Sequence, residues 1–124
     1  MATSKAKNLV VTILSVLLAL AFLSAGGTKL VSSDEAAPDF EEWGFPAWFA
    51  TFTGVLEVAG AVLIVIPATR FYGAALLACV MAGAIVTHLG ASQFGRLIPP
   101  VMLLFLASIV AWLCCPCAKA RSAS

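Results

Sequence analysis

The sequence predicts an all-α membrane fold, a four-helix transmembrane bundle of antiparallel hairpins with both termini cytoplasmic. Three observations predict it. Hydrophobic residues fill 62% of the 124 positions and charged residues only 10%, against about 25% charged in soluble chains, and the mean hydropathy is +1.06. The apolar residues gather into four long runs whose separators hold nearly all the charge. The basic residues are biased to one side of the hairpins those runs would form. A hydrocarbon core of roughly 30 Å takes about 20 residues per helix, so the chain reads as a single membrane domain over 1–124 with no room for a soluble one.

The first span is expected over 9–30, rich in Leu, Val and Ala and preceded by Lys5 and Lys7. Lysines, an apolar stretch and then Ser24, Ala25 and Gly26 also describe a cleaved signal peptide, but this stretch is longer than a signal core of roughly 7 to 15 residues, which favours a retained span. Residues 32–43 hold Asp34, Glu35, Asp39, Glu41 and Glu42, five of the six acidic residues, and are read as a solvated outer loop. The second span is expected over 45–66, with Pro46 in its first turn, where a missing N–H leaves no intrahelical acceptor unserved. A short turn through Arg70 leads to the third, over 71–89. The fourth covers 97–115, with Pro99 and Pro100 in its first turn, and a polar tail follows.

Orientation follows from charge. Lys5, Lys7, Arg70, Lys119 and Arg121 fall on one side and Lys29 and Arg96 on the other, so the termini should face the cytoplasm and the acidic loop outward or into a lumen. Trp43, Phe45, Trp48 and Phe49 gather at the outer boundary and Phe71, Tyr72 and Trp112 at the inner one, the depth that amphipathic rings prefer. The net charge of +1, with basic residues scattered singly, excludes a nucleic-acid binder, which needs a concentrated basic face.

Helices in lipid associate through close packing of small residues and interhelical hydrogen bonds. Ala75, Cys79 and Gly83, and likewise Ala74, Ala78 and Ala82, give the third helix a smooth face; Ala50, Gly54 and Ala61 flank Glu57 on the second. These faces are read as packing surfaces, against other helices of the bundle, other membrane proteins or a second copy in a homo-oligomer.

Glu57 stands out because a carboxylate at the middle of a span costs about 2.5 to 3.5 kcal/mol on insertion scales and needs a partner, water or a proton. Lys29 and His88 should lie in the same leaflet. Side chains lean toward the N-terminus of their own helix, so Lys29 and Glu57, on antiparallel helices, lean toward each other. With Thr28, Thr53 and Thr87 at similar depth they outline a polar pocket for a ligand or a proton. The bland alternatives are a snorkelling Lys29 and a His88 that caps its helix among headgroups.

Cys79 is read as an inert packing residue. Cys114, Cys115 and Cys117 contain a C-x-x-C spacing, but at a helix C-terminus, whose dipole disfavours a thiolate. Three sulfurs with no adjacent His make a poor zinc site. Their juxtamembrane place makes them candidates for S-palmitoylation. The outer side has no cysteine pair, which excludes the four-helix quinone-linked thiol oxidases.

Gly26-Gly27-Thr28-Lys29-Leu30, then Trp43-Gly44-Phe45-Pro46, Gly54-Val55-Leu56-Glu57 with Gly60-Ala61, Arg70, and Met81-Ala82-Gly83-Ala84 leading to Thr87-His88 resemble, in that order, the DoxX and DoxX-like membrane proteins. The resemblance runs from about Gly26 to His88 and implies a four-helix membrane protein, in some members tied to quinone-linked sulfur oxidation or to a membrane oxidoreductase complex, in animal relatives to receptor assembly. Kinship of fold does not choose among these.

The first expectation is therefore an accessory subunit of a membrane redox system, with a quinone as candidate cofactor and the pocket around Lys29, Glu57 and His88 as its site. The alternative is an assembly chaperone for other membrane subunits. A small multidrug transporter is a third reading, weakened because that family carries its Glu in the first helix. No nucleophile with a base, phosphate loop or metal cluster occurs at usable spacing, so a stand-alone enzyme is not expected.

Overall fold

A computed structural model describes residues 2–115. The helices are α1 (Ala2–Val31), α2 (Ser33–Glu42), α3 (Phe49–Val65), α4 (Arg70–Gly90) and α5 (Ile98–Leu113), with short 3-10 turns at Pro67–Thr69 and Phe94–Arg96. No strand occurs among the described residues. α1, α4 and α5, the last two with the turns before them, are long and apolar enough to cross a membrane, while α3 is apolar but has 17 residues. Cys117 and the basic tail lie outside the described residues.

Successive apolar helices run antiparallel, so α1 ends, α3 begins, α4 ends and α5 begins at one end of the bundle, here the α2 end. The opposite pole is the Arg70 end. Between the cavity and the Arg70 end the packing is dense: Leu18 of α1, Ile64 of α3, Leu77 of α4 and Val110 of α5 are fully buried, and Phe22 of α1, also fully buried, forms part of the cavity wall. Glycines set the spacing of α3 and α4 there. A Cβ on Gly73 would stand 2.5 Å from the Ile64 amide nitrogen and 2.9 Å from the Gly60 carbonyl oxygen, and one on Gly60 would stand 2.6 Å from Leu77 Cδ2. The turn between the helices is closed by side chains. Arg70, buried despite its charge, donates from Nε to the Ile64 carbonyl at 2.8 Å and from Nη2 to that of Val65 at 3.3 Å, and the Thr69 hydroxyl donates to the Leu63 carbonyl at 2.8 Å. These donors satisfy carbonyls that the end of α3 leaves without intrahelical partners.

Three local expectations are corrected. Residues 32–43 are not an open loop, since most of them form α2, with Pro38 inside it. The acidic side chains stay exposed while Phe40 turns inward and is buried, so one apolar face was enough to fold a segment whose composition reads as solvated. The helix expected to open at residue 45 opens at Phe49; Pro46 precedes it and its carbonyl accepts from the Phe49 amide at 3.0 Å. The α4 packing face is also different. Ala74 is buried, but Cys79, Ala82 and Gly83 are exposed, because the face that meets α3 is set by Gly73 and Leu77 rather than by the longest stripe of small residues.

Candidate functional site

Glycines also bring α1 and α3 together, toward the α2 end. A Cβ on Gly26 would lie 2.9 Å from the Gly54 carbonyl oxygen and 3.0 Å from Glu57 Cβ; one on Gly54 would lie 3.0 Å from the Gly26 carbonyl oxygen and 3.1 Å from Lys29 Cβ. Lys29 and Glu57 each sit three residues beyond this crossing, about 4.5 Å along their own axes, on opposite sides of it. Each leans back toward its helix N-terminus, and they meet. Lys29 Nζ donates to Glu57 Oε1 at 3.2 Å and to Oε2 at 3.1 Å, with 2% of the Glu57 side chain exposed against 25% of Lys29. Glu57 is the ninth of the 17 residues of α3. It thus keeps a mid-helix position although it is fewer residues from the helix start than the sequence suggested.

Two turns of one design build the other side. α2 ends with Gly44 at φ 92°, the Phe45 amide donating to the Phe40 carbonyl at 2.9 Å and the Gly44 amide to that of Glu41 at 3.0 Å. This is the Schellman pattern, in which a left-handed residue lets two amides reach back into the last turn and an apolar contact accompanies them. Here that contact joins the rings of Phe40 and Phe45, 6.3 Å apart. α4 ends in the same pattern, with Ser92 at φ 59°, the Gln93 amide donating to the His88 carbonyl at 2.8 Å and the Ser92 amide to that of Leu89 at 3.2 Å. The corresponding side-chain contact is polar, between His88 Nδ1 and Gln93 Oε1 at 2.9 Å.

The two turns then touch. Trp43 Nε1 donates to Gln93 Oε1 at 3.1 Å, and the indole meets the His88 ring edge-on with centroids 5.3 Å apart. An indole N–H can only donate, so the group it meets on Gln93 must be the amide oxygen. That oxygen cannot donate to His88, so Nδ1 carries the hydrogen and, in the neutral ring, Nε2 is left as an acceptor.

Between the Lys29–Glu57 pair and this latch lies a cavity of about 550 Å³, within the range of roughly 300–1,000 Å³ usual for small-molecule sites. Its walls are aromatic and aliphatic. Phe45 and Phe49 stack 4.6 Å apart at 9°, and Phe40 closes the α2 side. Lys29, Glu57, His88, Thr53 and Thr87 all line it, but the two threonine hydroxyls are turned to their own helices, donating to Phe49 and Gly83 carbonyls at 2.9 and 2.8 Å. Thr28, grouped with them from the sequence, is exposed and donates to the Ser24 carbonyl at 2.7 Å; it is not among the lining residues. Cys79, read as inert packing, is exposed and lines the cavity.

Sequence reasoning missed the latch. Gly44 after an acidic, helix-compatible stretch was the available signal for one half. Nothing local could pair Trp43 with Gln93, 50 residues away. Among the described residues no group of three His, Cys, Asp or Glu side chains could hold a metal. Cys114 and Cys115 are half-buried at the end of α5, remote in the fold from the cavity walls.

Compared with known proteins, the chain matches the profile of the DoxX-like family over residues 13–110. No curated protein and no solved structure matches it.

Proposed function

The chain belongs to the DoxX-like family and is an integral membrane protein, and from that premise we propose that it serves a membrane redox system as a small accessory subunit, its cavity holding a planar amphipathic headgroup with a quinone as the candidate cofactor. One observation carries this reading: a cavity walled by stacked rings has a hydrogen-bond donor at one side and an acceptor at the other. Lys29 spends two of its three N–H donors on Glu57, so the third can serve a ligand oxygen. His88 Nε2 can accept from a hydroxyl. Because the Lys29 and Glu57 charges balance, the site suits a neutral headgroup.

In this reading all four apolar helices span, and both termini are cytoplasmic. At 1.5 Å per residue α3 covers about 25 Å, a shortfall that a bilayer accommodates by thinning or by snorkelling of flanking residues. In the sequence Lys5, Lys7, Arg70, Lys119 and Arg121 stand against Lys29 and Arg96, which favours the same orientation.

Purification in mild detergent followed by lipid extraction and mass spectrometry tests the function. A quinone should be retained in about one copy per chain, as expected for a site of this size, and lost in Lys29→Met. A preparation from quinone-containing membranes that retains none would overturn the reading. A second reading, the assembly chaperone, is favoured by the acidic face that α2 turns outward. A membrane client that copurifies with a quinone-free chain would select it.

A further inference from the structure

We infer that the cavity is reached sideways from the bilayer, through a portal between α3 and α4 at the α2 end, and that its ligand is a lipid-phase amphiphile whose headgroup lies inside while a single apolar tail leaves through that portal. This rests on the reading that α3 and α4 span.

The seam between these helices is closed at one end and open at the other. Near Arg70 the glycines of α3 and α4 let backbone touch backbone, so the helices start in contact. Toward the α2 end the side of α3 that faces the cavity carries Phe49, Phe52 and Leu56, and the facing side of α4 carries Cys79, Gly83 and Thr87. Rings of that size hold two helices apart. Gly83, which lines the cavity, borders open space as such a gap requires: an added Cβ there would meet nothing within 4 Å.

Exposure shows where the gap leads. On α4 Tyr72, Cys79, Gly83 and Val86 are exposed and lie along one helical stripe, and on α3 Phe52, Val55, Ala59 and Val62 do the same. In a spanning helix such an apolar stripe faces acyl chains. Phe52, Cys79 and Gly83 belong both to these stripes and to the cavity wall, so the wall opens where lipid would lie. The aqueous side is covered instead by α2, whose Phe40 is buried and whose Trp43 is bonded to Gln93. The rim of the opening is apolar, which suits a hydrocarbon tail, whereas the polar groups that would hold a headgroup lie inside.

The test uses the full chain in lipid nanodiscs, with Cys114, Cys115 and Cys117 changed to Ser so that Cys79 reports on the portal. A lipid-soluble maleimide should alkylate Cys79 about tenfold faster than a charged, membrane-impermeant maleimide, each rate taken relative to that reagent's rate with a free thiol in water, a factor equivalent to 1.4 kcal/mol. A fully substituted benzoquinone with a decyl tail, its tailless analogue and a monoacylglycerol are then tried as protectants. In the parent, decyl-quinone should slow alkylation. In Gly83→Phe, which fills the opening and also covers Cys79, binding is read instead as ligand retained by the protein after desalting: the tailless ring should still be retained and the tailed one should not, while Ala82→Phe, on the neighbouring lipid-facing surface, should behave as the parent. Protection by monoacylglycerol but by neither quinone would keep the portal and remove the redox headgroup. Equal labelling by the charged reagent, tailed binding unchanged in Gly83→Phe, or no protection by any of the three would overturn the portal.

Discussion

The two ends of the α3–α4 seam are made from the same kinds of residue to opposite effect. At the Arg70 end Gly60 and Gly73 are filled by their neighbours' atoms, and charged or polar side chains are spent on backbone carbonyls. At the α2 end Gly83 borders open space, and Lys29, Glu57 and His88 make bonds that still leave donor and acceptor capacity beside a cavity. A glycine in a membrane helix therefore signals close packing only if something packs there. What separates the two ends is what lies across the seam: backbone and the Leu77 side chain pressed onto the glycines at one, aromatic side chains at the other.

The largest effect is expected at the closed end. Gly73→Ala gains about 1 kcal/mol of helix propensity, but its methyl would stand 2.5 Å from the Ile64 nitrogen, and a backbone atom cannot rotate away. The helices must separate along the seam, at the upper end of the overpacking range, about 3 kcal/mol or more. Thermal unfolding in detergent should show a variant that fails to give a stable monodisperse protein or melts far below the parent. A melting temperature unchanged by this substitution would mean the seam is not closed there.

Next comes the pair at the open end. Removing one partner of a buried ion pair costs about 3–5 kcal/mol, and the lower end applies to Lys29→Met because a quarter of the Lys29 side chain is already exposed. Replacing both, Lys29→Met with Glu57→Met, should recover most of that stability, since an apolar pair of similar volume is often neutral or better. The same double variant should bind no polar headgroup. Recovery of stability without ligand binding separates the structural from the functional role of the pair; an intact ligand complex in the double variant would place the headgroup elsewhere.

The sequence exposed these two ends unequally. Four apolar segments were legible because hydrocarbon solvent demands long runs, and the meeting of Lys29 with Glu57 was legible because two antiparallel helices lean their side chains toward one another. The Arg70 end was legible only in part: Arg70 reads as a charge that orients the chain, and only the fold shows its guanidinium bent back onto the Ile64 and Val65 carbonyls. Stripes of small residues recur on α4 at two angular positions, and periodicity cannot say which one has a neighbour. α2 was hidden by its acids, since composition registers five exposed carboxylates and not the one phenylalanine beneath them. The contact of Trp43 with Gln93 depends on two chain reversals landing side by side, which no local pattern encodes.

The smallest expected effect sharpens the contrast most, because it reverses the sign of the first. Gly83→Ala, on the same helix as Gly73 and with the same chemical change, meets nothing within 4 Å. Only the backbone term then remains, and alanine in a helix interior is more stable than glycine by about 0.5–1 kcal/mol. Gly83→Ala should accordingly raise the melting temperature slightly, where Gly73→Ala lowers it steeply, and a methyl at the rim is too small to close a gap between aromatic side chains and α4. A fall in stability at Gly83 would mean that α3 closes on α4 along its whole length in the membrane. The cavity would then be sealed from lipid, and the two ends of the seam would be alike.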